Sequence, residues 1–371
     1  MRVCMKGFTA FLGVIFILGA ACALAASPTL LKAKIEAEAR GFIFEAGHDE
    51  IVEKARKEGK LRAIVSLESN TNASLSKAFR ERYPFLDVQV QEIAGTEARE
   101  RFLLELKTGR AQWDISWTSS DGFTDFIQHG KKVDLLGMAE RGVLAIPTKI
   151  IDPKSRKVVA VSTTLGAIAF NRCILDASKV PERWEDFLKP ELKGKKFIVD
   201  VRPLNYAPMA AGAGEEWMVN YARKIAAQQP VWLRGHARAL PSIGAGEYAL
   251  HSLTNYQTVI EAMEKDPRGC LQVKVIEPVP VRLNEPEMIV ESASHPYAAI
   301  LWLEFMASPI AQRIIDEKEP LKSSIYVSGS ALEKLVRGKK VWLLDWDNFE
   351  KSPKWIKMAL EAFGFPQAEK K

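Results

Sequence analysis

Four short polar clusters each come directly after an apolar, β-prone run. Ser69-Asn70-Thr71 follows Leu61 to Leu67, and Thr118-Ser119-Ser120 follows Asp114 to Trp117. Arg202-Pro203-Leu204-Asn205-Tyr206 follows Phe197 to Val201, and Asn255-Tyr256 follows Tyr248 to Leu253. Hydroxyls, amides and the free N–H groups of helix starts are donors, and together they suit an anion. Arg202 would add a planar charged fork. The candidate ligand residues are therefore Ser69, Asn70, Thr71, Ser119, Ser120, Arg202, Asn205, Tyr206, Asn255 and Tyr256. The same serines and asparagines also suit helix caps, and Arg202 suits a structural ion pair. A cationic amine is the contrasting ligand, for which Trp117, Asp121 and Glu68 offer an aromatic and acidic lining.

The chemistry of turnover is missing from the pattern. There is no G-x-x-x-x-G-K-[ST] phosphate loop, no H-E-x-x-H and no G-x-S-x-G. The five histidines, His48, His129, His236, His251 and His295, have no ligand spacing. Gly244-x-Gly246-x-x-Ala249 comes before a strand instead of after one, so it reads as a turn and not as a dinucleotide loop. Asn72-x-Ser74 matches a glycosylation acceptor but sits where a helix starts, and Asp345 and Asp347 flank a Trp346 expected to be buried. A binder is expected, with no catalytic residues and no cofactor. The rival is an exported hydrolase whose nucleophile and base meet only in space.

Alternating elements must hold these clusters. Asp49 to Lys57 reads as a helix stopped by Gly59, then Leu61 to Leu67 as a buried strand. Ala73 to Tyr83 is helical and ends at Pro84. Val88 to Gln91 alternates as a strand, Glu97 to Thr108 is helical, and Asp114 to Trp117 is a short strand. This is the rhythm of an open parallel α/β sheet. Two extended pieces surround Thr163-Thr164. The alternation then repeats from Asn171 to Asp266, with a clear helix at Glu215 to Ala227. Helices follow at Pro296 to Met306, Pro309 to Glu317 and about Pro353 to Phe363, the last able to dock on a domain.

The N-terminus points outside the cytoplasm. Arg2 and Lys6 come before an apolar run from Gly7 to Ala26 that ends in Ala23-Leu24-Ala25, as in a secretory signal over residues 1–25. An uncleaved anchor or a lipid on Cys22 are the other readings. Net charge is +6, and loss of Arg2 and Lys6 would leave +4, spread along the chain in a way that does not suggest nucleic acid. Cys173 and Cys270 would remain in a compartment that permits a disulfide, but sequence does not show whether they meet.

Five segments, in order, carry a resemblance. Ala55 to Leu61 (ARKEGKL), Phe79 to Pro84 (FRERYP), Trp113 to Trp117 (WDISW), Gly166 to Asn171 (GAIAFN) and Ala293 through Gln312 (ASHPYAAILWLEFMASP and on) resemble stretches of one family. These are the type II periplasmic substrate-binding proteins of bacterial ABC importers, in the group that includes ferric-ion binders. The resemblance implies an α/β fold of two lobes, each an open, mostly parallel sheet flanked by helices, with a ligand cleft between them. Lobe one would be residues 49–162 and 279–371, and lobe two residues 163–278. It further implies a periplasmic monomer that hands a small solute to a membrane permease, or a sensor that docks on a membrane receptor. Ferric-ion members carry adjacent tyrosines where this chain has Tyr256-Gln257. Iron would therefore need Tyr256 with Glu68 or Glu97, and a small organic anion is the favoured ligand.

Overall fold

The computed structural model describes residues 27–93, 96–118 and 122–365. The expected signal at 1–25, Cys22, Ser119, Ser120 and Asp121 lie outside the described residues.

In chain order the elements begin with α1 (Pro28–Ala39), α2 (His48–Glu58), β1 (Lys60–Val65), α3 (Ser69–Arg82), β2 (Asp87–Glu92), α4 (Thr96–Lys107), β3 (Ile115–Trp117), α5 (Phe123–Ile127) and α6 (Leu135–Glu140). A long strand, β4 (Val158–Asn171), leads to β5 (Phe197–Asp200), α7 (Tyr206–Ala213), α8 (Glu215–Ala227), β6 (Val231–Leu233), α9 (His236–Ala245), β7 (Leu250–Asn255), α10 (Tyr256–Glu264) and β8 (Leu271–Lys274). A second long strand, β9 (Val279–Ile289), returns to α11 (Pro296–Met306), α12 (Pro309–Lys318) and α13 (Ala331–Val336). The chain closes with β10 (Val341–Leu344), α14 (Trp346–Phe349) and α15 (Ser352–Ala362).

The strand order β2-β1-β3-β9-β4-β7-β5-β6 makes two parallel sheets joined through β9 and β4. β2-β1-β3 are parallel on one side and β7-β5-β6 on the other. β4 pairs antiparallel with β9 along its first half and with β7 along its second, so it belongs to both lobes. The two-lobed α/β expectation holds. The extended pieces expected around Thr163-Thr164 are one continuous strand, and both threonines are fully buried in it.

The central strands are buried on both faces. β1 sends Leu61, Ala63 and Val65 into one core and Ile64 into another, which is why it reads as a continuous apolar run. Gly59 ends α2 in the left-handed region at φ 65°, where a side chain would be strained. α11 is buried all round, with Trp302 and Phe305 packed on Phe79 at ring separations of 5.2 and 5.3 Å.

Three features depart from expectation. The lead-in before Asp49 contains α1, which packs Ala33 and Ala37 on the first core but leaves Leu31 and Ile35 exposed. Its weak apolar stripe left no periodic signal. α9 forms where no helix is expected, ahead of the turn expected at Gly244 to Ala249, because Pro241 inside it breaks the helical pattern. The stretch 279–371 does not stay with lobe one. Leu344 of β10, Trp355 and Ala359 of α15, and Phe363 join the second core, where Phe363 meets Tyr206 at 5.2 Å and Trp232 at 4.9 Å. An apolar stripe shows that a helix docks, not which surface it docks on.

Cys173 and Cys270 form a disulfide with Cα atoms 5.5 Å apart, beside the β4–β8 ladder. The bridge spans 97 residues of sequence, so in the chain-entropy picture it removes loop entropy from the unfolded chain worth about 4.7 kcal/mol. The double variant Cys173→Ser/Cys270→Ser is expected to lose about that much unfolding free energy in urea. Coincident unfolding curves for oxidised and reduced protein would show that the bridge contributes nothing.

Candidate functional site

In lobe two, β5 and β7 end side by side and feed α7 and α10. Asn205 and Asn255 are the N-caps of these helices, yet neither side chain caps its own helix. Instead the Asn205 amide donates to Asn255 Oδ1 at 2.9 Å. Two positive helix ends thus converge without a side-chain cap. Beside them lies a cavity of about 170 Å³, lined among others by Asp200, Arg202, Asn205, Tyr206, His236 and Asn255. Asn205 is 6% exposed and its Oδ1 has no partner.

Asp200 organises the mouth of this cavity. Its carboxylate accepts from the N–H groups of Arg202 at 2.9 Å and Gly235 at 3.2 Å, and lies 3.4 Å from the Arg202 guanidinium. Gly235 suits that turn because its φ of 83° lies in the left-handed region, where a side chain would be strained. Arg202 remains about half exposed and free to reach a ligand. The Asp200 pair is thus the structural role left open for Arg202, and it leaves outer N–H groups available. His236 shares a hydrogen bond with Thr254 Oγ1 at 2.8 Å, and burial lowers its pKa, keeping the ring neutral.

The lobe-one wall is different in kind. The start of α3 is already occupied by the protein's own carboxylates. Glu92 accepts from the Ser69 N–H at 2.9 Å and the Ser69 hydroxyl at 2.8 Å, and Glu319 accepts from the Glu68 N–H at 2.8 Å. Glu319 also pairs with Lys322.

The crossing strands carry a run of polar side chains where the two lobes join. Gln257 Nε2 donates to Thr164 Oγ1 at 3.3 Å, and Thr164 stands opposite Arg282 in the β4–β9 ladder. Arg282 donates to Asn284 at 3.1 Å, Asn284 donates to Glu285 at 3.2 Å, and the Ser66 hydroxyl donates to Glu285 from lobe one. Gln257 Oε1 and Arg282 Nε have no partner. Further along β9, Glu287 is 1% exposed beside Trp302, and burial together with Glu285 pushes its carboxyl up to about 8.

Arg202, Asn205, Tyr206 and Asn255 are brought together at one cavity. Tyr206 contributes from the core, with its ring between Tyr221 and Phe363. Ser69, Asn70 and Thr71 form the first turn of α3 and not a loop: Ser69 is taken by Glu92, Asn70 is exposed, and the Thr71 hydroxyl is buried without a partner. Tyr256 lies half-buried beside Leu165, Val279 and Val281, and burial raises its phenol pKa. Glu68 and Glu97 are exposed on α3 and α4 starts, and among the described residues no three His, Cys, Asp or Glu side chains converge to hold a metal ion. Asp200 and His236 were missed in the sequence. Asp200 was findable, because it is the last residue of a parallel strand.

The family described as bacterial extracellular solute-binding protein matches residues 120–352. No curated protein matches the chain. Among solved structures, the fold is similar to a Trichodesmium IdiA (FutA) in complex with iron and citrate, at TM-score 0.62 and 16% identity over 83% of this chain and 100% of that one. It is also similar to Mannheimia haemolytica ferric iron-binding protein A in an open conformation, at TM-score 0.64 and 16% identity over 82% and 98%. A third is apo FutA2 from Synechocystis PCC6803, at TM-score 0.60 and 18% identity over 82% and 98%. At these identities the likeness is one of fold.

Glu287 gives the site a measurable pH dependence. Its carboxyl is raised in the fold, to about 8, so the folded chain holds a proton that the unfolded chain releases near the ordinary glutamate value. That contribution is full below about pH 4 and is lost as pH rises toward 8. Glu287→Gln keeps the neutral shape and removes the titration. At about 1.4 kcal/mol per unit of pKa difference, it is expected to be more stable than the parent by several kcal/mol at pH 8, with no gain near pH 4. Urea unfolding at both pH values checks this, and an unchanged difference between them would refute it.

Proposed function

We propose that this chain, which belongs to the family of bacterial extracellular solute-binding proteins, captures a small organic anion in the periplasm. It then closes its lobes on that ligand and presents it, unaltered, to the membrane permease of an ABC importer. The observation that carries the anion is the Asn205–Asn255 pair. Two N-cap side chains bond to each other, so the starts of α7 and α10 face the cavity beside Arg202 with no side chain of their own on them. A carboxylate or phosphonate group is matched to such donors.

Charge on the opposite wall limits the ligand further. Glu92 and Glu319 already occupy the start of α3, so a second anionic end would meet carboxylates and not donors. The site therefore suits one anionic group per ligand. Iron is less well served: the Tyr256 phenol is held protonated by burial, and the side chain of Gln257, where a second tyrosine would stand, binds Thr164.

The one nucleophile-like arrangement beside the cavity does not favour turnover. Thr254, His236 and Asp200 lie in sequence like a nucleophile, base and orienter, with a 2.8 Å contact and a 4.0 Å contact. Thr254 is fully buried, so no substrate atom reaches its hydroxyl.

A thermal-shift screen of the mature protein against monocarboxylates, phosphonates, dicarboxylates and ferric ion tests the proposal. A mono-anion is expected to stabilise it by about 2.7 kcal/mol at about 100 times Kd. Arg202→Gln and Asn205→Ala should each weaken that binding about tenfold, the loss of one charged or one neutral hydrogen bond. Stabilisation by ferric ion alone, with every organic anion inert, would overturn it.

A further inference from the structure

The anion cavity has a larger neighbour. A groove of about 620 Å³ lies between α9 and α10 of lobe two. His236, the first residue of α9, lines both spaces. From there the groove follows α9 past Leu240 and Pro241 to Ala245, a rise of about 14 Å along the helix.

The gap between the two helices has a cause in the sequence. α9 lines it with Pro241, Gly244 and Ala245, and α10 with Thr258 and Ala262, at the three- and four-residue spacing that puts side chains on one face. None of these side chains is long enough to fill the space between neighbouring helices, whose axes ordinarily lie about 8–10 Å apart. Leu240 and Leu271 also line the groove, and both belong to a buried core with Ile198 of β5 and Val259 of α10. Its apolar wall is therefore part of the packed lobe and stands before any ligand arrives.

Most of the charge in the groove is spent at the far end. Arg268 donates to Ala245 O at 3.0 Å, and Asp266 accepts from the N–H groups of Arg268 at 3.1 Å and Leu271 at 2.7 Å. These bonds tie the loop after α10 to the last residue of α9. At the near end the His236 ring is held on Thr254 Oγ1 at 2.8 Å and is neutral. Small-molecule sites have this composition, a largely apolar space with a few polar groups that fix orientation. An apolar wall that starts beside an anion cavity matches a chain that carries its charge at one end.

We infer that the solute is an amphipathic mono-anion: its charged group sits at the starts of α7 and α10 beside Arg202, and its apolar arm passes His236 and lies between α9 and α10. This inference rests on the proposed capture of a small anion and names the class of that solute. The two spaces divide the recognition. The smaller one selects the charge, and the larger one selects the length and shape of what is attached to it. Both belong to lobe two, so the ligand is held there before the lobes close.

Calorimetric titration of the mature protein separates the two claims. The probes are the straight-chain alkanoates from propanoate to octanoate and the alkylphosphonates of matched length. Affinity is expected to rise about three- to fourfold with each methylene until the groove is full, as burial of a CH₂ group prescribes. The affinity ratio of the longest to the shortest chain should therefore exceed tenfold. Ala262→Phe and Ala245→Phe put a ring into the gap from either helix, the second from an exposed position. Each should bring that ratio toward one. Affinity that does not change with chain length, or a ratio unmoved in both variants, would overturn the apolar arm and leave anion capture standing. Failure of every alkanoate and alkylphosphonate to bind would overturn the capture reading itself.

Discussion

Everything else in the molecule depends on the antiparallel ladder between β4 and β9. Among the described residues it is where the sheets of the two lobes join, since β3 pairs with β9 on one side and β7 with β4 on the other. The ladder is apolar at its ends and polar in its middle, where Ser162, Thr163 and Thr164 stand opposite Asn284, Leu283 and Arg282. Those buried polar groups need partners, and the surrounding chain supplies several. Gln312, fully buried, donates to Val161 O at 2.9 Å and accepts from the Ser324 N–H at 2.6 Å. Ser323 O accepts from the Thr163 N–H at 3.1 Å. This binds the segment after α12, and with it Glu319 and Lys322, to the hinge.

From that constraint the two walls acquire opposite character. Both have helices that start where parallel strands end, as an open α/β sheet requires. On lobe one the helix start is neutralised from within, by Glu92 and Glu319. On lobe two the two cap residues neutralise each other and leave the helix ends to whatever enters. The same local architecture is thus closed on one side and open on the other, and the difference comes from which side chains fold back.

The C-terminal segment adds a third tie between the lobes. Trp346 and Phe349 pack on Phe123 at 5.8 and 5.1 Å, and Trp355 and Phe363 pack in the second core. Phe123 opens the helix after the lobe-one loop, and Tyr206, which Phe363 touches, opens the helix at the lobe-two cavity. The tail therefore rests on the roots of both walls. Its position was invisible in the sequence, because an apolar stripe such as Trp355, Ala359 and Phe363 fits either core equally well.

Much of the fold was legible because burial leaves a periodic trace. The continuous runs at Leu61 to Leu67 and Phe197 to Val201 marked strands covered on both faces, and the helix at Glu215 to Ala227 was bounded to the residue. α1 and α9 left little trace, one for lack of a stripe and one for its internal proline. The site was legible as residue types following strands: Arg202, Asn205 and Asn255 stand where such an argument places them. What the sequence by itself determined was therefore the order of elements, the two-lobed class and the chemistry available at each strand end, since these depend on neighbours a few residues apart. Only the tertiary structure decided that Asn205 bonds to Asn255, that Glu92 closes the start of α3, and that Glu285 meets Ser66 across 219 residues of chain. Those pairings are set by how sheets stack and cross, and no local pattern records the distance between side chains that far apart in the chain.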